Sequence, residues 1–270
     1  MLLSEVIRIA EEAGNIMLTE TDVKVDTKGT KENYVTSTDV KVQKFLRKAL
    51  TGLLPGSGFL GEEEDASAEG YEPKGKVWIV DPIDGTNNYA RGIPMSVVSI
   101  ALVEDGEPIL GVVRNPYLEE TFCAEKGKGA YLNGEPIHVS GRSKENSAVC
   151  TAWCCYDKSR AGLCFDISME LYGVCEDIRR IGTAAYELCL IAKGACELYF
   201  EANLSPWDYA AAACILKEAG GHIISSYGDL RFDGPCPIVA ANSEENLEYL
   251  KGVVREKNSA HPEARVKIAF

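Results

Sequence analysis

The sequence predicts an α/β protein. More closely, it predicts an α+β layered sandwich, with an N-terminal, mostly antiparallel sheet and its helices packed on a C-terminal α/β layer. Three observations lead there. The stretch up to Leu53 carries two amphipathic helical patterns. Residues 77 to 139 then break into short apolar runs separated by glycine-containing turns, as strands of an antiparallel sheet do. From Val149 onward strand and helix patterns alternate, which favours an α/β layer. The change of rhythm divides the chain near residue 145. Residues 1–145 form one half, 146–256 the other, and the polar stretch 257–270, with His261-Pro262, is expected to fray.

In chain order, Leu3, Val6, Ile7, Ala10, Ala13 and Met17 recur at helical spacing and give one apolar face to residues 2–20. Val23 to Asn33 is polar and reads as a hairpin or loop. Thr36-Ser37-Thr38-Asp39 offers helix caps. Behind it Val42, Phe45, Leu46, Ala49, Leu50 and Leu53 continue a second helix, which Pro55 and Gly56 end. Phe59-Leu60 is a short strand running into Gly61-Glu62-Glu63-Glu64 and an acidic loop that reaches Gly75. Val77 to Val80 is a buried strand ending in Asp81, where Pro82 removes a backbone donor and is expected to stop the ladder.

Ser96–Glu104 and Pro108–Val113 pair across Asp105-Gly106. Thr121–Ala124, Ala130–Leu132 and Ile137–Val139 follow as short strands. In the second half, a strand at Val149 precedes a helix around Ile167–Val174. Strands at Ile178–Ile181 and Cys196–Phe200 alternate with helices at Ala184–Ala192 and Trp207–Ala219. Strands at His222–Ser225 and Pro237–Ala240 lead to a closing helix from Ser243.

Composition narrows the function. The chain has 270 residues, 46% hydrophobic and 26% charged, an ordinary soluble balance. A net charge of −13 argues against non-specific nucleic-acid binding. No apolar run approaches the ~20 residues of a membrane helix. Met1-Leu2-Leu3-Ser4-Glu5 lacks the basic start of a secretory leader. The ten cysteines form no Cys-x-x-Cys pair, and none of the three histidines stands near one at zinc-ligand spacing. Cys189 and Cys214, in apolar surroundings, read as reduced core thiols, so a cytoplasmic location is expected.

Four acidic clusters stand at element ends: Asp39, Glu62-Glu63, Asp81/Asp84 and Asp208. Each alone also reads as a cap, a solvated turn or an acid favoured by a helix dipole. Together they suit hard divalent cations, which take carboxylate and carbonyl ligands. Gly85-Thr86, at a helix start, adds free N–H groups for phosphate oxygens.

Val35-Thr36-Ser37-Thr38-Asp39, Gly61-Glu62-Glu63, Trp78-Ile79-Val80-Asp81-Pro82-Ile83-Asp84-Gly85-Thr86-Asn87, Gly182-Thr183-Ala184-Ala185 and Trp207-Asp208 occur in one order across residues 28 to 220. In that order they resemble the inositol monophosphatase family, of the Mg2+-dependent, lithium-sensitive phosphatase superfamily. The resemblance implies a layered α/β fold, a homodimer, a small phosphorylated substrate and two or three Mg2+ ions. Glu62, Asp81 and the Ile83 carbonyl would hold the first ion. Asp81, Asp84 and Asp208 would hold the second, and a third would lean on Glu62 and water. Thr86, polarised by Asp39 and supported by Glu63, would orient the attacking water.

Gly85 and Thr86 N–H groups would cradle the phosphate, with Lys28 adding charge near the phosphate or the third ion. Asp84, the Ala184 backbone and Glu201, at the end of the strand Cys196–Phe200, would contact the leaving group. Ser205-Pro206 and the stretch Tyr156–Phe165 depart from the family pattern at the substrate rim. The resemblance implies hydrolysis of inositol monophosphate or a related polyol or sugar phosphate. Fructose-1,6-bisphosphatase, histidinol-phosphate phosphatase and adenosine 3′,5′-bisphosphate phosphatase share the metal core, and Arg179-Arg180 offers positive charge for a second phosphate. A non-catalytic metal or phosphate-binding module is disfavoured, because every ligand and the Thr86/Asp39 pair are intact.

Overall fold

The computed structural model describes residues 1–30, 33–63, 74–155, 157–264 and 266–270. Residues 64–73 of the acidic loop and Tyr156 of the rim stretch lie outside the described residues. The elements run α1 (Leu2–Thr19), β1 (Val25–Thr27), β2 (Tyr34–Thr36), α2 (Ser37–Leu53), β3 (Gly58–Gly61), β4 (Lys76–Asp84), α3 (Thr86–Ala90), β5 (Val97–Glu104), β6 (Glu107–Asn115), β7 (Glu120–Glu125), β8 (Ala130–Leu132), β9 (Glu135–Ile137), β10 (Ala148–Thr151), α4 (Ala161–Tyr172), β11 (Asp177–Arg179), α5 (Ala184–Ala192), β12 (Leu198–Leu204), α6 (Pro206–Glu218), β13 (His222–Ser225), β14 (Cys236–Ala241) and α7 (Glu244–Ala260). Among the described residues no helix is long and apolar enough to cross a membrane.

Among the described strands, β3 to β9 form one sheet in chain order, β3 parallel to β4 and the rest antiparallel. The second sheet has the order β11-β10-β12-β14-β13. Its β10 runs parallel to β11 and β12, with α4 and α5 as the crossovers, and β14 turns antiparallel. Three apolar clusters show how the layers stack. Val6, Ile9, Ala13, Val42 and Leu46 of α1 and α2 meet Trp78, Val80 and Ile100 on one face of the first sheet. Val77, Ile79 and Ala101 on its other face meet α5 and α6, which also cover Tyr199, Ile238 and Ala240 of the second sheet. Leu163, Ile167, Leu250 and Val254 of α4 and α7 close the far face. β4 and β5 are near-continuous buried runs, as strands covered on both faces are, with successive residues facing opposite layers.

A helix between two sheets is apolar all round and must be thin. Hence α6 reads Tyr209-Ala-Ala-Ala-Ala-Cys214, every one buried. It comes so close to β6 that a Cβ on Gly111 would stand 2.2 Å from the Ala211 carbonyl oxygen. The two halves read from the sequence therefore share one central helical layer, and the boundary near 145 falls in the 3-10 turn Lys144–Asn146.

Several expectations need correction. Pro82 does not stop the ladder. β4 runs on to Asp84, with three steps from Asp81 to Asp84 set against two from Ser99 to Val97. That is a β-bulge, which absorbs the missing donor. β12 extends past Phe200 to Leu204, so Glu201 lies within the strand rather than at its end. The ninth strand is Glu135–Ile137 instead of 137–139, because the Val139 N–H goes to the Ala219 carbonyl at 3.1 Å. α4 begins at Ala161, six residues before Ile167. The end of the chain, read as frayed, lies on the second sheet's outer layer. Ala264 and Val266 are buried, and the Ala269 N–H reaches the Ser226 carbonyl at 2.7 Å.

The α6–β6 approach gives a stability test. Gly111→Ala is expected to cost about 1–3 kcal/mol by overpacking, read as a lower urea midpoint at unchanged m. An unchanged midpoint would mean that α6 does not lie so close to the sheet.

Candidate active site

The site grows from the end of β4. Asp81 follows the parity of Val77 and Ile79, facing the central helices, and is 2% exposed. Its Oδ1 accepts from the Ile83 N–H at 2.9 Å, the donor exposed by the bulge. Opposite it, Ser99 donates to the Trp207 carbonyl at 3.2 Å and so holds the start of α6 here. Asp84 reaches the start of α5, accepting from the N–H groups of Ala184 (3.3 Å) and Ala185 (2.7 Å). Gly85 caps the short α3 at φ 90°, where a Cβ would stand 2.8 Å from Thr183 Oγ1. Only glycine meets both demands. Thr86 Oγ1 then lies 3.1 Å from Asp39 Oδ1 and 3.0 Å from the Ile83 carbonyl. Its single proton can serve one of them at a time.

Asp39 sits in the first turn of α2. It closes a capping box with Thr36, accepting from the Thr36 N–H at 2.9 Å and from the Thr36 hydroxyl. Full burial pushes its carboxyl up to about 6 against these hydrogen bonds, with Glu62 adding to the rise. Glu62 and Glu63 follow β3. Lys28 donates to both, at 3.0 and 2.6 Å, and the Glu63 N–H donates to Gln43 Oε1 at 2.9 Å. Glu63 is pushed up to about 7 by burial and by Glu62. Lys28, which burial alone would lower, is raised overall by the two glutamates.

Asp208, in the first turn of α6, accepts from the Ser205 N–H at 2.7 Å. Burial raises Asp81 and Asp208 well above the carboxylate range, and Asp84 and Glu62 raise both further. Asp84 is raised to about 8, again first by burial. These acids thus crowd one another electrostatically, although among the described residues no three side chains converge on one metal-ligating point.

Glu201 points from β12 into the same region. Burial pushes it up to about 7, and the Tyr199 hydroxyl, 2.6 Å away, and the charge of Arg180 draw it back.

The structure therefore brings Asp39, Asp81, Ile83, Asp84, Gly85, Thr86 and Ala184 into one bonded set. Glu62, Glu63 and Lys28 form a second set, and Asp208 and Glu201 join through their charges. Four residues that sequence reasoning did not single out support them. Gln43 fixes the Glu63 backbone. Asn88 donates to the carbonyls of Met95 (2.8 Å) and Ile181 (2.9 Å) and ties α3 to the approach to α5. Glu187 accepts from the Ile181 N–H at 2.6 Å. Tyr199 was legible by strand parity, two residues before Glu201. Glu187 was legible as the one acid in the apolar run of α5. Nothing in the sequence marked Gln43 or Asn88.

The raised carboxyls fix a pH dependence. Between the ordinary value of roughly 4 and the folded values of about 6 for Asp39 and about 8 for Asp84, the native state holds protons that the unfolded chain has released. Stability is therefore fully present below that window and is lost as pH rises through it, at about 1.4 kcal/mol per pH unit per proton. In chelator, the melting temperature is expected to fall from pH 5 to pH 8, and millimolar Mg2+ should restore it. A melting temperature that rises over this range would contradict the geometry.

The family model described as the inositol monophosphatase family matches residues 2–259. Among similar proteins, "Nus factor SuhB" of Xylella fastidiosa is 36% identical over 248 residues, 87% of this chain and 88% of that one. "Fructose-1,6-bisphosphatase/inositol-1-monophosphatase" of Aquifex aeolicus is 34% identical, over 80% of this chain and 83% of the other. The crystal structure of the extragenic suppressor protein suhB from Bartonella henselae superposes with a TM-score of 0.82 at 31% identity, covering 94% of this chain and 98% of that one.

Proposed function

The chain belongs to the inositol monophosphatase family of phosphatases, and from that membership we propose that it is a Mg2+-dependent phosphomonoesterase. Its substrate would be inositol monophosphate or a related polyol or sugar phosphate. The observation that carries the reading is the hydrogen bond between Thr86 and Asp39 beside the buried Asp81–Asp84 bulge.

The donor set fits the metal by its chemistry. It is carboxylates and one main-chain carbonyl, with neither thiol nor imidazole, which suits a small hard dication. Glu62, Asp81, the Ile83 carbonyl, Asp84 and Asp208 would hold two or three Mg2+ ions. These would polarise the phosphoryl group and make a nearby water more acidic.

The protein's own groups do the rest. When Thr86 donates to Asp39, its lone pairs are left to accept from the attacking water, which would fix that water's direction. A carboxyl raised to about 6 is a better proton acceptor than an ordinary aspartate, so Asp39 suits the role of base through Thr86. Glu63 would support the same water, and Lys28 offsets the repulsion between Glu62 and Glu63. The N–H groups of Gly85 and Thr86 would receive the phosphate oxygens. Asp84, the Ala184 backbone and Glu201 would face the alcohol half. We place the enzyme in the cytoplasm, which suits its reduced thiols, and take the homodimer from the family resemblance.

The test is phosphate release from inositol 1-phosphate under saturating Mg2+. Asp39→Asn and Thr86→Ala are each expected to lower kcat about 10²-fold or more. The double variant should be no worse than the poorer single one, since both residues act on one water. Multiplicative losses would show two separate roles, and a fully active Thr86→Ala would remove this mechanism.

A further inference from the structure

Two walls of the candidate site come from different layers. Gly85 and Thr86, which would cradle the phosphate, follow β4 of the first sheet, whereas Ala184, on the alcohol side, opens α5 in the central layer. One side-chain amide joins them. Asn88 lies two residues past Thr86 on α3, and its Nδ2 donates to the Met95 carbonyl at 2.8 Å and to the Ile181 carbonyl at 2.9 Å. Thr183 Oγ1 stands 3.4 Å from the same nitrogen and itself donates to the Met95 carbonyl at 2.8 Å. Carbonyls only accept, so the nitrogen must be the end of the amide that faces them. The main-chain carbonyl of Asn88 takes the Ile93 N–H at 2.9 Å, so one residue holds the loop to Met95 twice. On the far side the Ile181 N–H goes to Glu187 at 2.6 Å, which leaves both main-chain polar groups of Ile181 bonded. The chain then turns at Gly182, φ 84°, and reaches Ala184 and Ala185, whose N–H groups bind Asp84. The two segments are in contact. A Cβ on Gly85 would stand 2.8 Å from Thr183 Oγ1 and 3.3 Å from the Gly182 carbonyl oxygen.

We propose that Asn88 is a positioning residue that sets the spacing between the phosphate cradle and the wall facing the alcohol half of the substrate. This deepens the phosphatase reading above and rests on it. Asn88 acts through Met95, Ile181 and Thr183, without itself taking part in the chemistry at phosphorus. A substrate that spans both walls reacts fast only when they keep their distance, because a displacement of about 1 Å can cost on the order of 10²-fold in rate. A ligand that fills the cradle alone is indifferent to that distance. The link is polar and its direction is fixed: two carbonyls from different segments converge on one NH2 group. A carboxylate of the same shape would present oxygens to both carbonyls and push the segments apart, whereas an alanine would leave them to water, which replaces a donor at small cost.

The experiment measures kcat and KM for inositol 1-phosphate, which spans both walls, and the inhibition constant of inorganic phosphate, which needs the cradle alone. It uses the full chain with saturating Mg2+, in wild type, Asn88→Asp, Asn88→Ala and Thr183→Val. In Asn88→Asp, kcat/KM is expected to fall tenfold or more, chiefly in kcat, while the inhibition constant stays within about twofold. Asn88→Ala should lose less than Asn88→Asp. Thr183→Val keeps its shape, removes one bond of the same link, and should shift kcat in the same direction. These two variants decide the matter if Asn88→Asp does not fold. A merely structural role would weaken phosphate and substrate alike, or lower the melting temperature at full kcat. Equal losses for both ligands, or an unchanged kcat in Asn88→Ala and Thr183→Val, overturn the assignment and leave the phosphatase reading intact. No phosphate release by the wild type overturns that reading, and this assignment with it.

Discussion

The structure depends on one electrostatic constraint: several carboxylates buried near one another at the end of a strand inside a sheet. Burial is the largest cause of the rise at Asp81, Asp84 and Asp208, and their mutual repulsion adds to it. Removing charge from water without pairing it is costly. The fold tolerates the cluster because backbone donors reach it from several elements. The Ile83 N–H serves Asp81, the Ala184 and Ala185 N–H groups serve Asp84, and the Ser205 N–H serves Asp208. Three of these four donors stand at the starts of α5 and α6, where helix N–H groups lack intrahelical partners.

That arrangement explains the layering. The first sheet supplies Asp81 and Asp84, while α5 and α6 supply the donors and Asp208, so the central helices must touch both sheets closely. The alanine-rich face of α6 and the bare backbone at Gly111 permit this approach. The bulge between Asp81 and Asp84 has the same purpose. It turns two acids three residues apart toward one region, which a regular strand, alternating its faces, would not do.

Much of this was legible in the sequence, for particular physical reasons. A strand that ends in Asp-Pro-Ile-Asp-Gly-Thr places carboxylates, a bulge-tolerant proline and a left-handed glycine in a fixed order. Asp39 was equally legible as a helix cap and Asp208 as an acid favoured by a helix dipole, and the structure gives both a place in a capping box as well as in the acidic group. The two readings were never alternatives. Pro82 misleads because a missing donor implies the end of pairing, whereas a bulge carries the strand past it. Glu201 reads as a strand end because the apolar run stops at Phe200, although backbone pairing continues to Leu204. Gln43 and Asn88 left no trace because their bonds run to backbone atoms far along the chain.

On the proposed reading, these acids share protons until a divalent cation replaces them. Calorimetric titration of Mg2+ into the chelator-treated protein, in buffers of different ionisation enthalpy, counts the protons released on binding. Carboxyls raised to about 6, 7 and 8 at Asp39, Glu63 and Asp84 are partly protonated near neutrality. Binding at pH 6.5 is therefore expected to release more protons than binding at pH 9. Mg2+ binding with no proton release at either pH, or no binding at all, would contradict the claim.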